Sequence, residues 1–268
     1  MSESTLKLRK FDMRWIKDDK VCVFIGRRET GKSFLLKDCL YYHRDIPAGK
    51  IICATEGANG SYGKHIPKIF ISEEFNSKII SNFIKGQKKL IKLKASDSKY
   101  KNIDERAFIV LDDCLYDTSW PKDKGIRALF MNGRHYKIFF LITMQFALGI
   151  PPVLRTNIDY VFLLRDSYKS NRKKYYEHYA GMFESFEQFC QVMDACTENY
   201  ECLVIHNNSK SNKIEDMVFY YKAEDHGDFK MMKNNNSAWE FNDEMYNTEY
   251  DSDDDTKQNS KLKLTKMR

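Results

Sequence analysis

At 268 residues, with 42% apolar and 14% aromatic side chains, the chain has material for one substantial core and too much of it for wholesale disorder. Its longest apolar run, Ile138 to Met144, falls far short of the ~20 residues a membrane helix needs. The N-terminus MSESTLKLRKFD lacks the apolar stretch of a secretory signal, so a soluble intracellular protein with no membrane contact is expected. Net charge is +6, but residues 240–255 hold eight acids and no base, and residues 257–268 hold five bases and no acid. That leaves +9 on residues 1–239, a surplus compatible with a polyanionic partner.

In chain order, VCVFIG (21–26) reads as the first strand. Its unbroken hydrophobicity predicts that both faces are covered, as in a parallel sheet flanked by helices. GRRETGKS (Gly26–Ser33) follows, and SFLLKDCLYYH then reads as a helix. KIICATE (50–56) is the second strand, followed by a helix over roughly EEFNSKIISNFIKGQKKLIKL. AFIVLDD (107–113) is the third strand, KGIRALFMNGRH a helix, KIFFLITMQ (137–145) the fourth strand and DYVFLLRD (159–166) the fifth. This alternation is the βαβ signature of an α/β fold.

Beyond residue 166, NRKKYYEHYAGMFESFEQFCQVMDACTEN predicts one or two helices, and YECLVIH and EDMVFYYKAE predict two more strands. Asn runs and charge blocks then predict a boundary, giving a single domain over 1–230 and a disordered tail over 231–268. The seven cysteines are scattered with no C-x-x-C. The spacing of Cys190, Cys196 and Cys202, with His206 nearby, is too wide for a zinc knuckle, so buried thiols are expected.

GRRETGKS matches G-x-x-x-x-G-K-[ST], and a strand before it with a helix after it is the context that a phosphate-binding loop requires. Backbone N–H groups of the loop and of the helix N-terminus form a nest for the β- and γ-phosphates. The nucleotide-binding segment is therefore Gly26, Arg27, Arg28, Glu29, Thr30, Gly31, Lys32 and Ser33, with Phe34 opening the helix. Lys32 is expected to neutralise phosphate charge and the Ser33 hydroxyl to ligate Mg²⁺.

Asp112 and Asp113 end a buried strand, and in open α/β sheets ligands bind at that edge. Asp112 is expected to hold Mg²⁺ through water and Asp113 to polarise the attacking water, although Glu is usual at the second position. Gln145 ends another apolar strand. If that strand lies between those of the P-loop and Asp112, it faces the γ-phosphate as a sensor. Hydrolysis of this kind is often accelerated by an arginine from a neighbouring subunit; Arg134 is the first candidate, Arg155 the second and Arg165 the third. Arg27 and Arg28 are candidates within the same chain.

A GTPase would show an N-K-x-D element and a transporter ATPase an L-S-G-G-Q-like signature, and neither is present. The chain is too short for a two-lobed helicase, and a small-molecule kinase usually has no paired strand-end acids. What remains is an oligomeric motor ATPase acting on a polymer. Lys85, Lys88, Lys89, Lys92, Lys94, Lys99 and Lys101 crowd one connection. Arg165, Lys169, Arg172, Lys173 and Lys174 form a second basic segment with Tyr168, Tyr175 and Tyr176 interleaved. Such residues gain affinity from phosphates without reading sequence, though a solvated helix face gives the same pattern.

GRRETGKS, the IVLDDC strand, the FMNGRHYKIFFLITMQ block and the late VFYYKAE strand, in this order, resemble the genome-packaging ATPases of large eukaryotic DNA viruses, the poxvirus-type branch of the FtsK–HerA superfamily. The resemblance spans about residues 10–225. It implies a RecA-like (ASCE) P-loop NTPase core of strand order 5-1-4-3-2 with extra C-terminal strands. It also implies a homo-oligomeric ring that uses ATP and Mg²⁺ to pump double-stranded DNA into a preformed capsid, with capsid or portal-vertex proteins as partners and the host-cell cytoplasm as the place of work. By matched position it supports Lys32 and Ser33 on nucleotide and metal, Asp112 as the metal-side acid, Asp113 as the hydrolytic acid, Gln145 as the sensor and Arg134 as the arginine acting in trans. A cellular HerA/FtsK-like translocase and a nucleotide-dependent assembly scaffold are the alternatives.

Overall fold

The computed structural model describes residues 6–114, 119–146 and 150–246. Strands β1 (Arg9–Lys10), β2 (Val21–Ile25), β3 (Ala48–Cys53), β4 (Ile71–Ser72), β5 (Ala107–Asp112), β6 (Ile138–Met144), β7 (Tyr160–Leu163), β8 (Glu201–His206) and β9 (Val218–Lys222) form one sheet. Their spatial order is β1-β9-β8-β7-β2-β6-β5-β3-β4. The five strands expected from the βαβ pattern thus lie as β7-β2-β6-β5-β3, which is the 5-1-4-3-2 order. All of the pairings are parallel except those of β8, which runs against both β7 and β9.

The buried strands explain the unbroken apolar runs. All five residues of β2 and all seven of β6 are buried, because helices cover both faces. Val21, Val23 and Ile25 point to the side holding α3 (Ser77–Ser96), α4 (Lys124–Asn132), α5 (Pro152–Arg155), α6 (Lys169–Tyr179) and α7 (Phe186–Cys196). Cys22 and Phe24 point to the side holding α1 (Lys32–Tyr42) and α8 (Asn236–Met245). Phe24 stacks on Phe162 of β7 at 4.6 Å. Each fully buried Val, Ile or Phe stabilises the fold by about 1.5–3 kcal/mol, so alternation on two covered faces holds the central strands firmly. Helix starts are set by side-chain caps: Asn76 accepts from Lys78 N–H, Asp123 from Ile126 N–H and Ser185 from Gln188 N–H.

The sheet's outer edge joins the two ends of the domain. Arg9 and Lys10 lie opposite Phe219 and Tyr220, and Phe11 N–H donates to the Tyr220 carbonyl. Phe11 then plugs an aromatic cluster of Trp15, Tyr160, Phe162, Phe219 and Tyr221.

The tail boundary expected at residue 231 is corrected. Met231 and Met232 are fully buried, Met231 N–H donates to the His65 carbonyl, and Asn235 Nδ2 donates to the Pro47 carbonyl. Helix α8 follows, its Trp239 Nε1 bonding back to the Met231 carbonyl. The polar Asn run that suggested a tail is the N-terminal end of a docked helix, and the remainder of the expected tail, 247–268, lies outside the described residues. A chain cut after residue 246 keeps these contacts and is expected to melt like the full chain. One cut after residue 230 gives up two buried methionines, at roughly 2–5 kcal/mol each by the scale of large-to-small core substitutions. Thermal melts of the two truncations check this, and coincident midpoints would refute the docking.

Candidate nucleotide site

Strand β2 lies between β7 and β6, so its carboxyl end opens at the middle of the sheet edge. Gly26 N–H donates to the Met144 carbonyl at the end of β6, fixing where the chain leaves the sheet. A Cβ on Gly26 would stand 2.7 Å from Thr30 Oγ1 and 2.8 Å from Leu164 Cβ, so the turn admits no side chain there. Thr30 Oγ1 and Lys32 Nζ both donate to the Arg27 carbonyl at 2.8 Å, and Glu29 (φ 63°) and Gly31 (φ 92°) take left-handed backbone to close the loop. Helix α1 then starts with no side chain capping it at Gly31, which leaves its first N–H groups for an external acceptor. Lys32 is buried, and desolvation lowers its pKa while Asp113 and Asp112 oppose that shift.

Two strands away, β5 delivers Asp112, 2% exposed, to the same edge. Thr143 Oγ1 donates to its Oδ1 and the Tyr62 hydroxyl to its Oδ2, each at 2.6 Å. Asp113 follows with left-handed backbone (φ 50°), its N–H donating to Thr143 Oγ1. Strand β6 lies between β2 and β5, which is the placement on which the sensor reading of Gln145 depended. Gln145 Nε2 donates to Asp113 Oδ1 at 2.7 Å. The structure therefore brings Lys32, Ser33, Asp112, Asp113 and Gln145 to one sheet edge, with Gln145 holding the second acid.

Sequence reasoning missed Thr143 and Tyr62. Thr143 lies two residues before Gln145 and is the one polar residue inside the apolar β6, a signal that was there to be read. Tyr62 comes from the loop after β3 and the short helix α2 (Glu56–Asn59), 50 positions from Asp112, and no local pattern marks it. Glu56 braces that loop by accepting from the Tyr62 and Gly63 N–H groups. Burial and the adjoining Asp112 push the Tyr62 phenol well above its ordinary pKa, so it stays a donor.

The arginines separate by position. Arg134 is exposed in the turn before β6, at the opposite end of that strand from Gln145. A seven-residue strand spans roughly 20 Å, so Arg134 does not reach its own P-loop. Arg155, in α5, precedes β7, whereas Arg165 follows it at the P-loop edge and is exposed. Arg27 is exposed, its guanidinium 4.6 Å from the centre of the Tyr168 ring. Arg28 is exposed on the loop.

The second basic segment is only partly a surface. Arg172 pairs with Asp194 at 2.6 Å, Tyr175 is buried with its hydroxyl on Asp166, and the Tyr176 hydroxyl donates to the Phe183 carbonyl. Lys169 and Lys173 remain exposed. On α3, Ile80, Ile84 and Gln87 face inward while Lys85, Lys88, Lys89 and Lys92 are exposed, and Lys94 pairs with Glu105.

A central five-strand order of 5-1-4-3-2, a phosphate loop after the first strand and acids at the end of the third define an α/β RecA-like P-loop NTPase fold. A solved structure agrees: the genome packaging NTPase B204 from Sulfolobus turreted icosahedral virus 2, in complex with AMP, superposes with a TM-score of 0.53 at 12% identity, over 78% of this chain and 100% of that one. No protein-family model matches the chain. The uncharacterized protein L437 of Acanthamoeba polyphaga mimivirus is 38% identical over 258 residues, 94% of this chain and 89% of that protein. The uncharacterized protein 088R of Invertebrate iridescent virus 3 is 34% identical over 234 residues, 82% and 86% of the two chains. The chain belongs to the family that these large-DNA-virus proteins form.

Proposed function

We propose that this protein is an ATP-hydrolysing motor that drives double-stranded DNA into a preformed capsid, working as a homo-oligomeric ring in the host-cell cytoplasm against capsid or portal-vertex proteins. The observation that carries the reading is the meeting of Lys32, Asp112, Asp113 and Gln145 at one sheet edge. Family membership and the fold shared with B204 support packaging as the task.

The residues fit a magnesium nucleotide. Helix α1 offers uncapped N–H groups, and each Asp112 oxygen accepts a single hydroxyl hydrogen bond, which leaves acceptor capacity on a fixed carboxylate. Ser33 and Asp112 are the residues to hold the ion, which when bound neutralises charge on the transferred phosphate. Lys32 exchanges the Arg27 carbonyl for phosphate oxygen. Tyr62 and Thr143 keep Asp112 oriented. Asp113 accepts the proton of the attacking water once its Oδ1 is free of Gln145, so the Gln145–Asp113 bond couples nucleotide sensing to the base. Arg134, remote from its own P-loop, acts only on a neighbour's site, while Arg165 stands at the P-loop edge of its own chain.

Exposed lysines of α3 and the cations beside α6 supply phosphate-backbone contacts of the kind a translocating motor uses. Steady-state ATPase activity, measured with and without long duplex DNA, tests the reading. A several-fold rise is expected, and equal rates would favour the assembly scaffold.

A further inference from the structure

Asn199 and Tyr200, between α7 and β8, both have left-handed backbone, with φ 52° and 64°. Two adjacent side-chain-bearing residues in that region cost energy, on the order of 1 kcal/mol or more each, and such strain persists where surrounding structure imposes it. The strain does not bury anything, because Tyr200 is 72% exposed, the most open of the exposed large hydrophobics among the described residues. Its hydroxyl has no hydrogen-bond partner among the described residues. An open aromatic ring on left-handed backbone calls for an account other than packing.

Its position supplies one. Strand β8 runs against β7, with Leu203 opposite Leu163, so the start of β8 lies at the edge where β2 opens into the P-loop. A Cβ placed on Gly31 would stand 3.5 Å from Tyr200 Cδ1, an ordinary van der Waals contact. The ring therefore flanks the glycine immediately before Lys32, beside the phosphate nest. Phe34, 42% exposed in the first turn of α1, is a second open aromatic next to the loop.

We infer that Tyr200 is the platform on which the base of the bound nucleoside triphosphate stacks, with purine triphosphates as the preferred class because their larger π-face covers the ring best. This deepens the P-loop reading and rests on it. The phosphates are held by the loop and α1, and the left-handed pair aims the ring across the loop so that stacking is preorganised. Stacking alone favours purines over pyrimidines and leaves ATP and GTP weakly separated.

Calorimetric titration of the full chain with ATP and, separately, with inorganic tripolyphosphate, which lacks a base, tests this. Base–aromatic stacking is worth about 1–3 kcal/mol, so Tyr200→Ala is expected to weaken ATP roughly tenfold while tripolyphosphate affinity stays where it is. Tyr200→Phe should restore ATP binding. Tyr200→Gly suits the left-handed backbone, so it should weaken ATP as alanine does with no fall in the thermal midpoint. Equal losses for both ligands would mean the ring only supports the loop, and unchanged ATP affinity would remove the base contact. Either result overturns the inference while sparing the P-loop. A wild-type chain that binds neither ligand would instead fail the P-loop reading itself, and this inference with it.

Discussion

Lys32→Ala will abolish nucleotide turnover, with a loss of roughly 10²–10³-fold or more, as expected for removing a preorganised charge from a transferring phosphate. The fold will survive the change. Lys32 Nζ makes one hydrogen bond, to the Arg27 carbonyl, worth about 1 kcal/mol. Against that, its burial disfavours the charged amine, as its lowered pKa shows, so replacing it also relieves a desolvation cost. Circular dichroism and the melting midpoint should stay close to those of the wild type while phosphate release stops. Turnover persisting in a folded variant would remove the P-loop from the mechanism.

Asp112→Asn is the second large effect, and it has two expected signatures. The carboxylate charge proposed to face Mg²⁺ disappears, so hydrolysis should fall by a comparable roughly 10²–10³-fold, with tripolyphosphate binding in the absence of Mg²⁺ retained. The amide also brings an N–H₂ donor to a group that receives the Tyr62 and Thr143 hydroxyls. Whichever hydroxyl meets the N–H₂ must turn to accept from it, which conflicts with its present role and leaves its own O–H without this acceptor in a buried place. That conflict should cost about 1–3 kcal/mol of stability, visible as an earlier urea midpoint. Tyr62→Phe separates the two signatures, because it removes one hydrogen bond and keeps the charge. A normal rate for Asp112→Asn with Mg²⁺ present would end the assignment of Asp112 to the metal side.

How far the site was legible depended on how local each part is. GRRETGKS is contiguous, and its strand and helix flank it directly, so loop, lysine and serine could be placed from the string. Asp112, Asp113 and Gln145 were legible as ends of apolar runs, and the strand order came with the family resemblance rather than from periodicity. Tyr62 was not legible, because its contact with Asp112 exists only after the loop beyond β3 folds over the sheet edge. Charge counting misjudged Arg172, since the composition of a helix does not reveal that Asp194 on the next helix faces it. The polar stretch after residue 230 hid two buried methionines for a similar reason. Asn235, within the Asn run that predicts a tail, is the cap of α8. Strands β1 and β4 have two residues each and leave no periodic trace.

The pairing of β1 with β9 has a consequence for biosynthesis. Arg9 meets Phe219, so the first strand to leave the ribosome waits for the last before it has a neighbour. Until residue 222 is translated, Phe11 lacks Phe219 and Tyr221, and the aromatic cluster at that edge is half built. Long-range closure of this kind slows folding and leaves nascent apolar surface open to chaperones. The nucleotide edge is under the same constraint, because Tyr200 and β8 arrive late. An elongating or truncated chain therefore carries an intact GRRETGKS long before β8 brings Tyr200 beside Gly31.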